Sequence, residues 1–471
     1  MTATVPINGS PARRRPAADA ASTSNRPVER QSTRSATDTG SPIIVTVFLC
    51  SLLVPFIISV GPIDLQPHRI VILLTMPYLF LRLISGRVGK VTVIDFLVLF
   101  SGLWCAYSYT FSYGPNATLQ GRTIGDTVQY AFSFFFELYG GYLIARVGIR
   151  SANDLRRVTK FMFFCVLVAI PLAAAEAFSH KAFLMELIGR KPALDTRFGL
   201  RRAQVTFGHP ILYGAFVSSA MGLVWYTYRA NAALGGKIFR TVFVFLALFF
   251  SFSMGAILSF MVQVGSIIYE QMFKNIPKRW TLLVMGFIGL YFLMDMFTNS
   301  SPFSVLVRYA TFNQQASYVR LLTFEFGVDN ILARPFFGFG AGRWDRPPGF
   351  PPSVDNFWLL TAMQFGLPAF LSLAVAVALI MRRIALKSLA DPMDIACRAA
   401  VLTSMGGIVL AGGTVHYWQN MLAFIMFIFG SGMWLLSRPD AQAAEVEAPT
   451  TDDAPQPAPA KKRFIPYGRE A

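Results

Sequence analysis

Residues Thr298–Trp358 read TNSSPFSVLVRYATFNQQASYVRLLTFEFGVDNILARPFFGFGAGRWDRPPGFPPSVDNFW. This is the only long segment within an otherwise apolar body that cannot cross a bilayer. It carries five arginines and four acidic residues: Arg308, Arg320, Arg334, Arg343, Arg346, Glu325, Asp329, Asp345 and Asp355. Long apolar segments flank it on both sides. A polar loop punctuated by glycine and proline between membrane spans is a strong candidate for a functional site.

The composition of the chain is that of a membrane protein. Hydrophobic residues make up 54% of it and charged residues only 14%, whereas a soluble domain carries about 25% charge. The apolar runs repeat at lengths of roughly 17–25 residues, as a helix needs to span hydrocarbon. A β-barrel would show alternating segments of about 10 residues instead. The sequence therefore predicts an all-α, polytopic integral membrane protein.

The net charge of +17 does not indicate nucleic-acid binding in this setting. Lysines and arginines gather at the ends of the spans, where they act as topology determinants, and no basic module with interleaved aromatic residues is present. The four cysteines and four histidines are dispersed without metal-ligand spacing. We expect no metal, no cofactor and no nucleic-acid partner.

The apolar runs predict twelve spans in a transmembrane region that covers residues 42–437. The large loop of residues 298–355 lies between spans nine and ten. Residues 1–41 and 438–471 are rich in small and polar residues and predict disordered tails. The spans are placed at 43–60, 69–84, 92–112, 127–146, 158–178, 207–228, 238–252, 254–270, 280–297, 356–381, 396–412 and 416–436.

One ambiguity concerns residues 238–270, which form either two spans or one very long helix. With two spans, every connection on the cytoplasmic side is basic, as the positive-inside rule expects. A single helix would move the later basic clusters to the other side. The charges favour two spans, with both termini in the cytoplasm and the large loop on the far side of the membrane.

The external connection of residues 179–204 breaks that rule. It holds six basic and two acidic residues, a net charge of +4, and its arginines include Arg197, Arg201 and Arg202. Positive charge on this side favours an anionic ligand. The alternative is that long loops cross the membrane regardless of their charge.

Arginines from the two external segments can face the same vestibule and bind a phosphate or pyrophosphate with bidentate, charge-assisted hydrogen bonds. Arg202 lies just before a span. Arg320 lies in ASYVRLLTFEFGVDNIL, which has the pattern of an external helix against the membrane. Arg343 belongs to GFGAGRW (338–344), whose glycines do not follow a strand and so fail the context of a nucleotide-binding motif. We expect the N–H groups of that loop to line an anion pocket.

Two further positions carry open alternatives. Asp355 precedes a span and either deprotonates an attacking hydroxyl or caps the helix that begins near Asn356. His209 precedes Pro210 and either is a satisfied interfacial histidine or orders Arg202 from behind.

Several motifs together resemble the O-antigen ligase/polymerase superfamily. They are RAQVTFGHPILYGAF (202–216), SFSMGAILSF (251–260), RPFFGFGAGRW (334–344) and SVDNFWLLTAMQFGLPAFL (353–371). The resemblance covers most of residues 43–436, and it includes the span count and the large loop between spans nine and ten. The tails lie outside it.

The resemblance implies a GT-C-like fold in the bacterial inner membrane and metal-independent, inverting glycosyl transfer on the periplasmic side. The donor would be an undecaprenyl-pyrophosphate-linked glycan. The family's two pyrophosphate-binding arginines match Arg202 and Arg320, and Arg197 and Arg201 would assist. Where many ligases have His-Asn before the tenth span, this chain has Asp355-Asn356, which looks more like the polymerases of exopolysaccharide or capsule repeat units.

The sequence thus favours a polymerase of lipid-linked repeat units, with Arg202, Arg320 and Asp355 as its catalytic residues and His209, Arg343 and Asn356 in support. The implied partners are the lipid-linked donor and acceptor, the bilayer, and a co-polymerase, chain-length regulator or flippase. Two alternatives stay open. A ligase would move the finished glycan to lipid A core or to a protein, and a flippase or other transporter would perform no chemistry.

Overall fold

The computed structural model describes residues 41–60, 63–112, 123–229, 232–297 and 314–440. The two predicted tails lie almost wholly outside these ranges, and so do residues 298–313 of the large loop, which include Arg308.

The described chain is mostly helical, which confirms that part of the fold prediction. A π-helical turn (Phe136–Gly140) joins α4 to α5, and a 3₁₀ turn (Met433–Ser437) follows α16. The elements in chain order are α1 (Pro42–Leu52), β1 (Ile58–Val60), β2 (Ile63–Leu65), α2 (Pro67–Ile84), α3 (Val93–Phe111), α4 (Ile124–Phe135), α5 (Gly141–Gly148), α6 (Ala152–Ser179), α7 (Phe183–Leu187), β3 (Thr196–Arg197), β4 (Leu200–Arg201), α8 (Pro210–Thr227), α9 (Leu234–Phe249), α10 (Met254–Met272), α11 (Arg279–Phe297), α12 (Gln314–Ala333), α13 (Phe357–Phe365), α14 (Leu367–Leu386), α15 (Pro392–Ala411) and α16 (Asn420–Gly430).

Six of the described helical segments are long and apolar enough to cross a membrane: α2, α3, α6, α14, α15 and Asn420–Ser437. Five of the other six predicted spans coincide with a described helix that does not meet the same requirement of length and hydropathy, and the span at 127–146 covers α4, the π-helical turn and α5. The structure therefore supports an all-α membrane protein, while the number of twelve crossings stays a prediction.

Helix α8 lies at the centre of the bundle and is buried along nearly its whole length. Small residues let its neighbours approach: a Cβ at Gly214 would lie 2.8 Å from the Cβ of Ala256 at the start of α10. Further along, the N–H of Gly222 donates to Oε1 of the buried Gln263 at 2.9 Å. Close contact at small residues and side-chain hydrogen bonds between helices are the usual means of helix association in membranes. The two contacts also show that α8 and α10 run in the same direction.

Helix α9 runs the opposite way. The hydroxyl of Tyr213, near the start of α8, donates to the carbonyl of Ala247 near the end of α9 at 2.9 Å. At the other end of α8, the guanidinium of Arg240 lies over the ring of Tyr228, 5.2 Å from its centroid. Because α9 is antiparallel to α8 and α10 is parallel to it, the chain reverses between Phe249 and Met254. Residues 238–270 are two helices, and the alternative of one long helix is wrong.

Two predicted spans have different bounds in the structure. The first, at 43–60, ends as a helix at Leu52, and the chain then forms a hairpin in which Ile58 pairs with Leu65. Pro55 follows within three residues, and a residue before proline disfavours helical backbone. The span at 356–381 is divided at Gly366 into α13 and α14.

Gly366 makes that break possible. Its φ is +83°, a conformation that glycine adopts without strain. A Cβ on Gly366 would also lie 2.1 Å from the carbonyl oxygen of Phe336. The close approach lets the segment after α12 dock on the junction, where the N–H of Leu367 donates to the carbonyl of Pro335 at 2.7 Å. The large loop is thereby fixed to the bundle.

Candidate functional site

A cavity of about 1560 Å³ opens where four connections meet at one end of the bundle. They are the segment between α7 and α8, the turn between α9 and α10, the segment between α12 and α13, and the connection between α15 and α16. Helix α12 contributes Arg320. The charged side chains on the wall are those of five arginines and one carboxylate: Arg197, Arg202, Arg320, Arg343, Arg346 and Asp355.

Arg202 is a buried guanidinium at the floor of this cavity. It follows strand β4, and its Nε donates to the carbonyl of Ser251 at 3.1 Å. Its Nη1 lies 2.6 Å from Oδ2 of Asp195, a partner that the sequence did not identify. Burial lowers the pKa of Arg202, and the carboxylate of Asp195 opposes that shift. The ion pair and the carbonyl hold the guanidinium in one orientation at the cavity wall.

Arg197 and Arg201 differ in where they point. Arg197 lines the cavity, and its Nη1 donates to the carbonyl of Phe252 at 2.8 Å. The buried Arg201 does not line the cavity: its Nη1 donates to the carbonyl of His180 at 3.0 Å. The structure therefore brings Arg197 to the predicted anion site and leaves Arg201 behind it.

A carboxylate in the adjacent span shapes this segment. Oε2 of Glu176 accepts hydrogen bonds from the backbone N–H groups of Gln204 and Val205 at 2.9 and 3.0 Å. Val205 has a φ of +52°, which is strained for a β-branched residue. Two N–H donors on one carboxylate hold this backbone in place. Glu176 thus helps to position Arg202, although it does not itself line the cavity.

Arg320 is half-buried on α12 and lines the cavity. Within the described part of the chain, its guanidinium forms no hydrogen bond and no ion pair. Burial lowers the pKa of Arg320, the charge of Asp355 raises it and that of Arg197 lowers it. An arginine stays charged at neutral pH under such conditions because its ordinary pKa lies above about 12. A cation turned into a cavity without a partner is suited to an anionic ligand.

The glycine-rich loop docks on α13 through two of the N–H groups that were predicted to line an anion pocket. The N–H groups of Phe339 and Gly340 donate to the carbonyls of Met363 and Gln364 at 2.9 and 2.8 Å, at the end of α13. These donors dock the loop and are not free to line an anion pocket. The residues of the loop that line the cavity are Phe339, Gly342, Arg343 and Trp344, and of these the side chain of Arg343 is exposed.

Asp355 and Asn356 divide the two roles that the sequence left open. The side chain of Asn356 caps α13, with its Oδ1 accepting from the N–H of Leu359 at 2.9 Å. Asn356 does not line the cavity. Asp355 lines it, is exposed, and forms no hydrogen bond with the rest of the described chain. The cap is therefore Asn356, and the carboxylate of Asp355 is free to meet a ligand.

His209 both caps a helix and lines the cavity. Its Nδ1 accepts from the N–H of Ile211 at 3.2 Å, at the start of α8. Burial lowers the pKa of His209, and the nearby charge of Arg202 lowers it further. The ring is therefore neutral near pH 7, with its proton on Nε2 because Nδ1 accepts. Among the described contacts no hydrogen bond joins His209 to Arg202.

Two cavity residues escaped the sequence reasoning: His416 and Trp418, in the connection between α15 and α16. Their rings stack with centroids 5.6 Å apart and an interplanar angle of 19°. The signal for them was weak, because His-Tyr-Trp ahead of an apolar span also fits an interfacial anchor. Only the folded chain brings this connection beside Arg202 and Asp355.

Left-handed backbone gathers around the same cavity. Phe198 and Phe252 line it with φ values of +53° and +45°, and Gln419 follows Trp418 with a φ of +53°. Non-glycine residues in this region are uncommon and tend to cluster at functional sites. The strain is consistent with a built binding site.

Among the described residues, no group of three or more His, Cys, Asp or Glu side chains is arranged to hold a metal ion. No protein-family model matches the chain, and no curated protein matches it with significant similarity.

Proposed function

We propose that this chain is a membrane glycosyltransferase that polymerises oligosaccharide repeat units carried on a lipid pyrophosphate, undecaprenyl pyrophosphate by the resemblance in its motifs. The observation that carries the proposal is the guanidinium of Arg320, which has no hydrogen-bond or ion-pair partner among the described residues. It shares one cavity with Arg197, Arg202 and Arg343, and with the carboxylate of Asp355, which forms no hydrogen bond in the same part of the chain. This arrangement supplies an anion site and a base side by side.

The arginines suit the leaving group of such a transfer. A pyrophosphate released from a sugar gains negative charge as the glycosidic bond breaks. Guanidinium groups fixed at the place where this charge develops stabilise the transition state. Arg202 is already oriented by Asp195 and the carbonyl of Ser251, so little reorganisation is needed during the reaction.

The groups on the cavity wall account for the proton and the leaving group of the proposed transfer. A hydroxyl of the acceptor sugar attacks the anomeric carbon of the donor from the face opposite the pyrophosphate, and inversion follows. The bond between that carbon and the pyrophosphate oxygen breaks as the new glycosidic bond forms. The hydroxyl proton passes to the carboxylate of Asp355, and Arg202 and Arg320 hold the departing pyrophosphate.

The placement of the cavity supports the proposed topology. With twelve spans, the four connections on its wall follow spans five, seven, nine and eleven, so all four lie on the same side of the membrane. The proposal therefore places both termini in the cytoplasm and the active site on the periplasmic face of the bacterial inner membrane, in a GT-C-like fold. A co-polymerase, a chain-length regulator and a flippase are the partners that such a polymerase needs.

The polar groups within the bundle favour an enzyme over a transporter. Glu137 is bound by Arg69 at 2.7 Å and lies 3.4 Å from His68. Glu176 is used by two backbone N–H groups. These acids stabilise the fold, whereas a proton-coupled carrier needs polar groups that are free to change partners through the membrane.

The test is reconstitution of the purified protein in lipid vesicles with a lipid-pyrophosphate-linked repeat unit. Wild type is expected to produce a ladder of longer lipid-linked glycans. Arg320→Ala is expected to slow its formation by about 100-fold or more, and Arg320→Lys to restore part of it because a lysine keeps the charge without the bidentate geometry. Arg334→Ala is the matched control, since Arg334 follows the same helix, is exposed and does not line the cavity.

The other outcomes separate the alternatives. A normal ladder from Arg320→Ala would remove the observation on which the proposal rests. If wild type makes no ladder but moves the lipid across the bilayer, the chain is a transporter. In cells lacking this protein, single repeat units on lipid indicate a polymerase, whereas intact polymer that is not attached to its final carrier indicates a ligase.

A further inference from the structure

The connection between α15 and α16 forms a fixed wall of the cavity. The N–H of Phe357 donates to the carbonyl of Gly412 at 2.7 Å and to that of Val415 at 3.0 Å. The hydroxyl of Tyr417 donates to the carbonyl of Ile408 at 2.9 Å. With its neighbours held in this way, the connection presents His416 and Trp418 to the cavity in defined positions.

The rings on this wall pack against one another and give it an aromatic surface. Trp418 stacks on His416, and His209 lies against the indole with ring centroids 5.5 Å apart. Behind them, the ring of Phe357 lies 6.3 Å from His416 at an interplanar angle of 22°. The apolar C–H face of a pyranose packs on such a surface, while its hydroxyls need polar partners at the edge.

His416 offers such a partner. Its Nδ1 is fully buried and has no hydrogen-bond partner in the described part of the chain. Its Nε2 also has no hydrogen-bond partner there and, unlike Nδ1, is not fully buried. A neutral imidazole carries one donor and one acceptor nitrogen. An open ring nitrogen beside an aromatic face fits a sugar hydroxyl.

The charges lie elsewhere in the cavity. The pKa of His416 is lowered by burial alone, to about 4, with no charged neighbour contributing. Arg202 and Asp355 both act on His209, and Asp355 acts on Arg320. No charged group acts on His416, so we distinguish a cationic half of the cavity wall, with Arg197, Arg202 and Arg320, from an aromatic half, with His416 and Trp418. Inversion requires the attacking hydroxyl and the leaving pyrophosphate on opposite faces of the donor sugar, so a sugar site apart from the arginines suits the acceptor.

We propose that His416 and Trp418 form the binding site for the acceptor sugar. The terminal sugar of the acceptor glycan stacks on the indole of Trp418, and one of its hydroxyls hydrogen-bonds to the open nitrogen of His416. The inference rests on the proposed glycosyl transfer, for which it adds the second substrate site.

Binding tests the inference without turnover. The probes are inorganic pyrophosphate, for the cationic half, and an oligosaccharide released by partial acid hydrolysis from the polysaccharide of the producing cells, for the aromatic half. Saturation-transfer NMR and titration use the full chain in lipid nanodiscs. Trp418→Leu and His416→Leu are each expected to weaken oligosaccharide binding by about tenfold, the loss of one stacking contact or hydrogen bond, and to leave pyrophosphate binding unchanged. Trp418→Phe should restore most of the oligosaccharide binding.

The controls distinguish this inference from the proposed function. Arg320→Ala should show the reverse pattern, with pyrophosphate binding lost and oligosaccharide binding kept. Trp280→Leu should change neither, because Trp280 lies on α11 and does not line the cavity. If the Trp418 and His416 variants keep full affinity for the oligosaccharide, or wild type does not bind it, the acceptor site is overturned. If these variants lose it while wild type makes no glycan ladder, the sugar site stands and the polymerase assignment fails.

Discussion

At the scale of single residues, the neighbours Asp355 and Asn356 have different roles. Asp355 faces the cavity without a hydrogen bond in the described chain, while Asn356 caps α13. Asp355→Asn should slow glycan formation by about 100-fold, as expected for a lost general base, with no change in melting temperature. Asn356→Ala should lower the free energy of unfolding by about 1 kcal/mol, the value of one helix cap.

The two variants are compared by thermal unfolding in detergent and by the ladder assay. The separation fails if Asp355→Asn unfolds at a lower temperature and keeps its activity, because Asp355 would then serve the fold. Asp355→Glu is the conservative partner, and partial activity from it would support the carboxylate as the proton acceptor.

His416 makes stability depend on pH in a calculable direction. Burial lowers the pKa of His416 from 6.5 to about 4. Above pH 6.5 the ring is neutral in both states, and between 6.5 and about 4 only the unfolded chain takes up the proton. The free energy of unfolding therefore falls as the pH falls through this window, by about 3 kcal/mol in total. Between pH 7 and pH 4, wild type should lose about 3 kcal/mol of unfolding free energy relative to His416→Leu, as followed by melting curves of both proteins. A difference that stays constant over this range would contradict the shift.

The sequence predicted the arginines better than the histidine. Arg202 was found because its basic connection breaks the positive-inside rule in the predicted topology, and Arg320 because of its helix pattern and the resemblance in the motifs; both line the cavity. Arg201 belongs to the same basic connection as Arg202, yet its guanidinium points to the carbonyl of His180. Successive side chains of an extended segment point to opposite faces. His416 carries no charge pattern, and nothing local indicates that its connection reaches the cavity.

At the scale of elements, the docking of the loop on α13 depends on glycine. Gly338 has a φ of +58°, and a Cβ there would lie 2.3 Å from the carbonyl oxygen of Met363. Gly349 has a φ of +81° in the same loop, with nothing within 4 Å of a Cβ. Gly338→Ala therefore combines left-handed strain with a collision, whereas Gly349→Ala adds the strain alone, which costs about 1–2 kcal/mol.

Melting temperature and the ladder assay separate these two effects. Gly338→Ala should unfold at a clearly lower temperature than Gly349→Ala and lose more activity, because it displaces the segment that carries Arg343. Equal losses in the two variants would mean that the close approach of the loop to α13 is unimportant.

Helix positions were largely predictable, and helix ends were not. Apolar length places a helix near each of the twelve predicted spans. The break at Gly366 escaped prediction because it lies within the apolar stretch FGLPAF (365–370), and the docking of Pro335 and Phe336 there is visible only in the fold. The reversal between α9 and α10 was predicted from charges on distant connections, because the apolar composition of residues 238–270 fits one long helix as well as two.

At the scale of the whole molecule, the arginines at the two ends of the bundle have different surroundings. Near one end, the buried Arg146 pairs with Asp95 at 3.1 Å and donates to the carbonyls of Val88 and Lys90. Arg82 donates to the hydroxyl of Ser41 at 2.8 Å in the same way. These arginines were predicted as cytoplasmic charges, and the structure shows that they also bind the connections together. The other end holds the cavity, whose wall carries five arginines.

That division predicts which side of the membrane each connection faces. In a variant with its four cysteines replaced by alanine, single cysteines are introduced at Lys191 and Ser353, on the cavity side, and at Lys274 and Arg382, on the other. All four positions are exposed. A membrane-impermeant maleimide added to spheroplasts should label the first two, because external connections are open to it, and should label the others only after the membrane is permeabilised.

Labelling of both Lys191→Cys and Lys274→Cys in intact spheroplasts would mean that α9 and α10 do not cross the membrane as two separate spans. In that case the cavity connections would not share one side, and a periplasmic active site built from all four of them would be untenable.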